Sequence, residues 1–160
     1  MTETARIAGL FKAYYDGECW IGVNFIQAID GLSAKQAGVR KGEGFNSIWQ
    51  LVNHIIYWRE TVMIRMNGTI GDPPMTDFYQ PPTITETAWK ETLQHFKQVN
   101  TSLVKAIQDF PSDQLDNPSP KKEQSYYQLL TGCLQHDAYH LGQIILLKKE
   151  LLMGGGDHRP

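Results

Sequence analysis

Apolar residues recur every three or four positions along most of the chain, and nowhere does a two-residue alternation persist. That period belongs to amphipathic helices, not to half-buried strands. Residues 4–16 place Ile7, Leu10, Phe11 and Tyr14 on one side, and Gly17 interrupts the pattern. A second helical stretch, from about Glu18 to Leu32, carries Trp20, Val23, Ile26 and Ile29. It reads either as a separate helix or as the first one continued around a kink. Residues 33–45 hold three glycines and read as a connection. Ser47 is placed to cap a helix over Ile48–Met66, with Ile48, Leu51, Ile55, Trp58 and Val62 as its apolar stripe. Asn67 and Gly68 end it. The four prolines and two glycines of residues 67–82 then predict a crossover loop over the end of a bundle. A capping pattern at Thr85 opens a helix from about Glu86 to Phe110, whose core stripe is Trp89, Leu93, Phe96, Leu103 and Ile107. After a second proline-rich connection at 111–122, an unbroken helical pattern runs from about Ser125 to Leu151.

Long helices joined by loops of this length predict an all-α four-helix bundle with long connecting loops. At 160 residues the chain is the size of one domain. We assign it to residues 1–152, with residues 153–160 as a flexible tail. A formal net charge of −2 offers no electrostatic footprint for nucleic acid or an anionic membrane. No apolar run approaches the roughly 20 residues of a membrane span, and the N-terminus lacks the pattern of a signal peptide. Two cysteines, Cys19 and Cys133, are too few for a disulfide framework and suit a reducing, cytoplasmic setting. The aromatic content, with four tryptophans, is compatible with a homodimer.

Candidate chemistry concentrates in Cys133–Gly142, C-L-Q-H-D-A-Y-H-L-G. His136 and His140 lie one helical turn apart, on the stripe that Leu129, Cys133, Ile144 and Leu147 define. Buried imidazoles need partners, and two at this spacing converge well on one divalent ion. His54 is the remaining histidine that faces inward, at the edge of its own helix's stripe. His95 faces the polar side of its helix, and His158 lies in the tail. Three histidines from two helices with an open fourth position is the ligand count of a catalytic site, not a structural one. Cys133 is a turn before His136 but seven residues from His140, about 10 Å along the axis, which favours a small core residue over a ligand. Asp137 has three roles open to it: acceptor orienting a ligand histidine, which is favoured because ligating histidines need such a partner, general base for a metal-bound water, or ion-pair partner of an arginine. Its place in H-D-A-Y-H invites comparison with the H-E-x-x-H of zinc peptidases. Asp137 is one methylene shorter than that glutamate, and the third histidine lies upstream on another helix, so peptidase activity is not expected.

The strings Q-H-D-A-Y-H-L-G-Q-I at 135–144 and S-I-W-Q-L-V-N-H-I-I-Y-W-R at 47–59, supported by D-G-E-C-W-I-G at 16–22 and T-A-W at 87–89, resemble the DinB/YfiT-like superfamily of metal-binding four-helix bundles. The resemblance implies a divalent metal site, nickel or zinc, held by His54, His136 and His140 and completed by water. It also implies chemistry like that of thiol-dependent S-transferases and isomerases using bacillithiol or mycothiol. The expectation is therefore a bacillithiol-type S-transferase whose partners are a small-molecule thiol and an electrophilic substrate. Two alternatives stand beside it: a hydrolase using a metal-bound water with Asp137 assisting, and a non-catalytic stress-response bundle whose ion serves stability.

Overall fold

Side-chain caps set where the helices begin. In the computed structural model, which describes residues 1–121 and 123–153, Thr2 caps α1 (Glu3–Asp16) by accepting from the Ala5 N–H. Asn24 caps a short α2 (Phe25–Ile29), and Ser33 caps a short α3 (Ala34–Gly38). Ser47 and Gln50 form a reciprocal capping box at the start of α4 (Ile48–Met66), and Thr85 caps α5 (Glu86–Asp109). A 3-10 turn at Ser112–Gln114 follows. Ser125 and Gln128 exchange the same pair of bonds where α6 (Tyr126–Met153) opens. The long helices α1, α4, α5 and α6 form the bundle, with α5 against α1 and α4, and α6 against α4 and α1. Among the described residues there is no strand, only an isolated bridge between Pro118 and Ser125.

The stripes predicted for α4, α5 and α6 are the faces that pack. Ile48, Leu51, Ile55 and Val62 are buried on α4, Trp89, Phe96, Leu103 and Ile107 on α5, and Leu129, Cys133 and Ile144 on α6. Of the helix expected over residues 18–32 only the short α2, Phe25–Ile29, forms. The chain leaves the helix at Gly17, loops through Gly22 at φ +79°, and restarts at Asn24. Asn24 competes effectively with helix continuation: its side chain caps the Gln27 N–H and donates to the Gly17 carbonyl at 2.9 Å. Trp20 is consequently fully exposed and Ile26 faces solvent, while Ile29 is buried with Phe25 and Ala28. Leu10, expected on the inner side of α1, is also exposed. The connection expected at 33–45 contains α3, whose Ala34 N–H donates to Glu86 at the start of α5. Met153 ends α6, and the rest of the expected tail lies outside the described residues.

Apolar packing divides into two clusters. One joins α2, α3, the first half of α4, the first half of α5 and the second half of α6, while the other joins α1, Val62, the second half of α5 and the first half of α6. Arg59, Asn100 and Asp137, all buried, form a polar layer on α4, α5 and α6. Asp137 Oδ2 accepts from Arg59 Nε at 2.9 Å and Nη2 at 2.8 Å, and Arg59 Nη1 donates to Asn100 at 2.8 Å. The guanidinium also lies against Phe11, which belongs to one cluster, and Phe25 and Phe96, which belong to the other, with centroid distances of 5.2–5.6 Å.

The loop between α4 and α5 runs back along the first half of α4. Asn53 Nδ2 donates to the Tyr79 carbonyl at 2.7 Å, Gln50 Nε2 donates to that of Phe78 at 3.2 Å, and Ser47 Oγ bonds to Gln80. These bonds satisfy the loop's carbonyls and lay residues 77–80 over the face of α4 that carries His54.

Candidate metal centre

His54 from α4 meets His136 and His140 from α6. One nitrogen from each ring can be chosen so that all three lie within 4.8 Å of one another. His54 and His140 are buried, and His136 is half-buried. His54 Nδ1 bonds to Asp77 Oδ1 at 2.5 Å, and His140 Nδ1 bonds to Gln143 Oε1 at 2.7 Å. A carboxylate and an amide oxygen can only accept, so both rings carry their proton on Nδ1 and present a lone pair at Nε2. His54 Nε2 lies 2.9 Å from His136 Nε2. Two lone pairs at that distance repel unless a proton or a cation lies between them.

The electrostatics favour neutral rings. Burial pushes the pKa of His54 below the ordinary histidine value, outweighing the bond to Asp77, which acts the other way. Burial likewise lowers His140, against the opposing effect of Gln143. Neutral imidazole is the form that binds metal. His136 Nδ1 and Asp137 Oδ1 are buried without hydrogen-bond partners and lie 3.9 Å apart. The donor set, three imidazoles with two of them held by acceptors, fits a divalent transition metal.

Compared with known protein families, residues 22–144 match the DinB superfamily. The chain belongs to this superfamily. No curated protein matches it. The three histidines of this DinB superfamily chain fit the divalent metal site expected from its sequence. Among the described residues, no helix is long and apolar enough to cross a membrane.

Other residues singled out in the sequence take different places in this DinB superfamily protein. His95, expected to face outward, is half-buried on α5 and bonds to Glu60 of the neighbouring α4 at 2.9 Å, away from the histidine group. His158 lies outside the described residues. Cys133 is a core residue outside the histidine group, and burial pushes its thiol well above the ordinary range. Asp137 is sealed from solvent, with one oxygen held by Arg59.

Periodicity did not point to Asp77, Phe78, Gln143 or Arg59. Phe78 stacks on the His54 ring with centroids 3.8 Å apart and planes 11° apart, and its N–H donates to Asp77 Oδ1 at 2.8 Å. To do so it adopts φ +51°, a left-handed conformation that is uncommon for a bulky residue. Gln143 had one available signal, since it stands three residues after His140 on the same helix. Asp77 had none, because only the path of the loop brings it to His54.

Proposed function

We propose that this DinB superfamily protein is a metal-dependent enzyme of the thiol S-transferase type. His54, His136 and His140 hold a divalent ion, zinc or nickel. The substrates are a low-molecular-weight thiol of the bacillithiol type and a small electrophile. The observation that carries this reading is the convergence of His54 and His136 through Nε2 while Asp77 and Gln143 hold the far sides of His54 and His140. An ion held by these histidines would lower the pKa of a bound thiol and so supply a nucleophile near neutral pH. The sulfur then bonds to the electrophilic carbon, the leaving group departs with its electron pair, and the thiol proton passes to solvent.

The residues around the cluster suit thiol transfer better than hydrolysis. A water nucleophile asks for a positioned base within hydrogen-bond reach. Asp137, the residue expected to serve, is fully buried and paired with Arg59, while Asp77 holds His54. We therefore assign Asp137 a positioning part beside His136. A cavity of about 190 Å³, lined in part by His136, gives a small molecule room beside the histidine group, which an ion serving stability alone would not need.

The test is turnover of chlorodinitrobenzene with bacillithiol or cysteine, together with elemental analysis of protein purified without a histidine tag. About one ion per chain is expected. His140→Ala should remove both ion and turnover, and His95→Ala neither. Equal turnover after the ion is stripped by a chelator overturns the proposal.

A further inference from the structure

The cavity beside His136 lies between α4 and α6. Trp58, Val62 and Arg65 on α4 face Leu129, Gly132 and His136 on α6. Its volume, about 190 Å³, is somewhat larger than the roughly 150 Å³ of an engineered cavity that holds benzene. Most of the wall is apolar, with Arg65 and Gln124 as its polar groups apart from His136.

Two features set this cavity apart from a packing gap. The first is Arg65. Arg6 and Arg59 pair with carboxylates, and Arg40 donates to the Phe45 carbonyl. Arg65 is half-buried with its guanidinium 5.6 Å from the centre of the Trp58 ring, and among the described residues no carboxylate pairs with it. A guanidinium without an anion, at the edge of an apolar pocket, is a ready partner for a carboxylate, whose two oxygens match its fork of donors. The second is Gly132. Glycine is a poor residue for the interior of a long helix, and packing does not demand it here, since a β-carbon would meet nothing within 4 Å. Its effect is to leave the wall of the cavity open.

We infer that the cavity binds a small organic carboxylate: an apolar part of about ring size lies against Trp58 and Leu129, and the carboxylate pairs with Arg65. Of the three histidines the cavity touches His136 alone, so such a ligand would lie beside the metal centre. Resting on the thiol-transfer reading, this makes the electrophilic substrate an apolar or aromatic carboxylate.

The test uses the full chain stripped of metal, so that a carboxylate cannot gain affinity by ligating an ion. Phenylacetate and its neutral counterpart phenylacetamide are titrated by calorimetry. Phenylacetate should bind at least tenfold more tightly to the native protein. Arg65→Gln should bring the ratio close to one, Arg65→Lys should keep part of it, and Gly132→Leu should abolish binding of both. Circular dichroism melts of each variant establish that it is folded. Equal affinity for the two probes, a preference that survives Arg65→Gln, or binding of neither at millimolar concentration overturns the inference. The ratio does not depend on turnover, so it stands or falls separately from the thiol-transfer reading.

Discussion

Replacing Arg59 by Met removes the cation that pairs with Asp137 in the interior. Both side chains are 0% exposed, and Asp137 Oδ2 takes two hydrogen bonds from the guanidinium. Met keeps most of the volume among Phe11, Phe25 and Phe96, so the cavity contribution is small and the stranded carboxylate dominates. Removing one partner of a buried pair costs about 3–5 kcal/mol. For a chain of this size each kcal/mol lowers Tm by about 2–4 °C, so the expected drop is about 6–20 °C. Replacing both partners behaves differently, because the desolvation of two charges disappears together with their attraction. The double variant Arg59→Met, Asp137→Leu should therefore melt within a few degrees of the native protein, or above it. Thermal and urea melts followed by circular dichroism measure both, on metal-stripped protein so that ion binding to the native state adds nothing. A loss below about 1 kcal/mol for Arg59→Met, or a double variant whose loss equals the sum of the two single losses, refutes the reasoning.

Two further predictions concern the metal centre. Asp77→Asn weakens the acceptor that holds His54 Nδ1, so metal affinity should fall about 10–100-fold in competition with a chromogenic chelator. The melting temperature of the stripped protein should hardly change, and an unaltered affinity would show that the carboxylate does not support the ligand. Acid should destabilise the metal-free protein through His54 and His140. Their native pKa values are held below the unfolded value of about 6.5, so the unfolded chain takes up protons first as pH falls. The urea midpoint should be level above about pH 7 and drop as pH falls through 6.5 towards the lowered native values. The double variant His54→Gln, His140→Gln should show a shallower drop, and a midpoint that rises on acidification contradicts the argument.

Much of the architecture was legible because period and caps agree. Ser47 and Thr85 stand where α4 and α5 begin, and the apolar stripes that follow them are the buried faces. The three histidines were legible for the same reason, since inward direction along two strongly periodic helices can be read from spacing alone. Residues 18–32 misled because Trp20, Val23, Ile26 and Ile29 satisfy a helical period, yet Gly17, Gly22 and the capping geometry of Asn24 break it locally. Arg59 carried no sign of burial, since an arginine on a helix is a surface residue unless a partner such as Asp137 waits in the core. Asp77 and Phe78 reach His54 through loop geometry, and a loop has no period from which direction can be inferred.

Arg59 follows His54 by five residues on α4, and Asp137 follows His136 by one on α6. The alignment of α4 with α6 that joins the charged pair is thus the one that brings the imidazoles together. Sliding one helix past the other by a turn, about 5.4 Å, would leave two opposite charges separated in hydrocarbon. The polar layer thereby acts as a register lock, a role best known from single polar residues in coiled coils. With that lock the fold itself would hold the three rings together, unlike small zinc domains in which the metal drives folding. An ion held by such a preformed group could leave and be replaced without the chain unfolding.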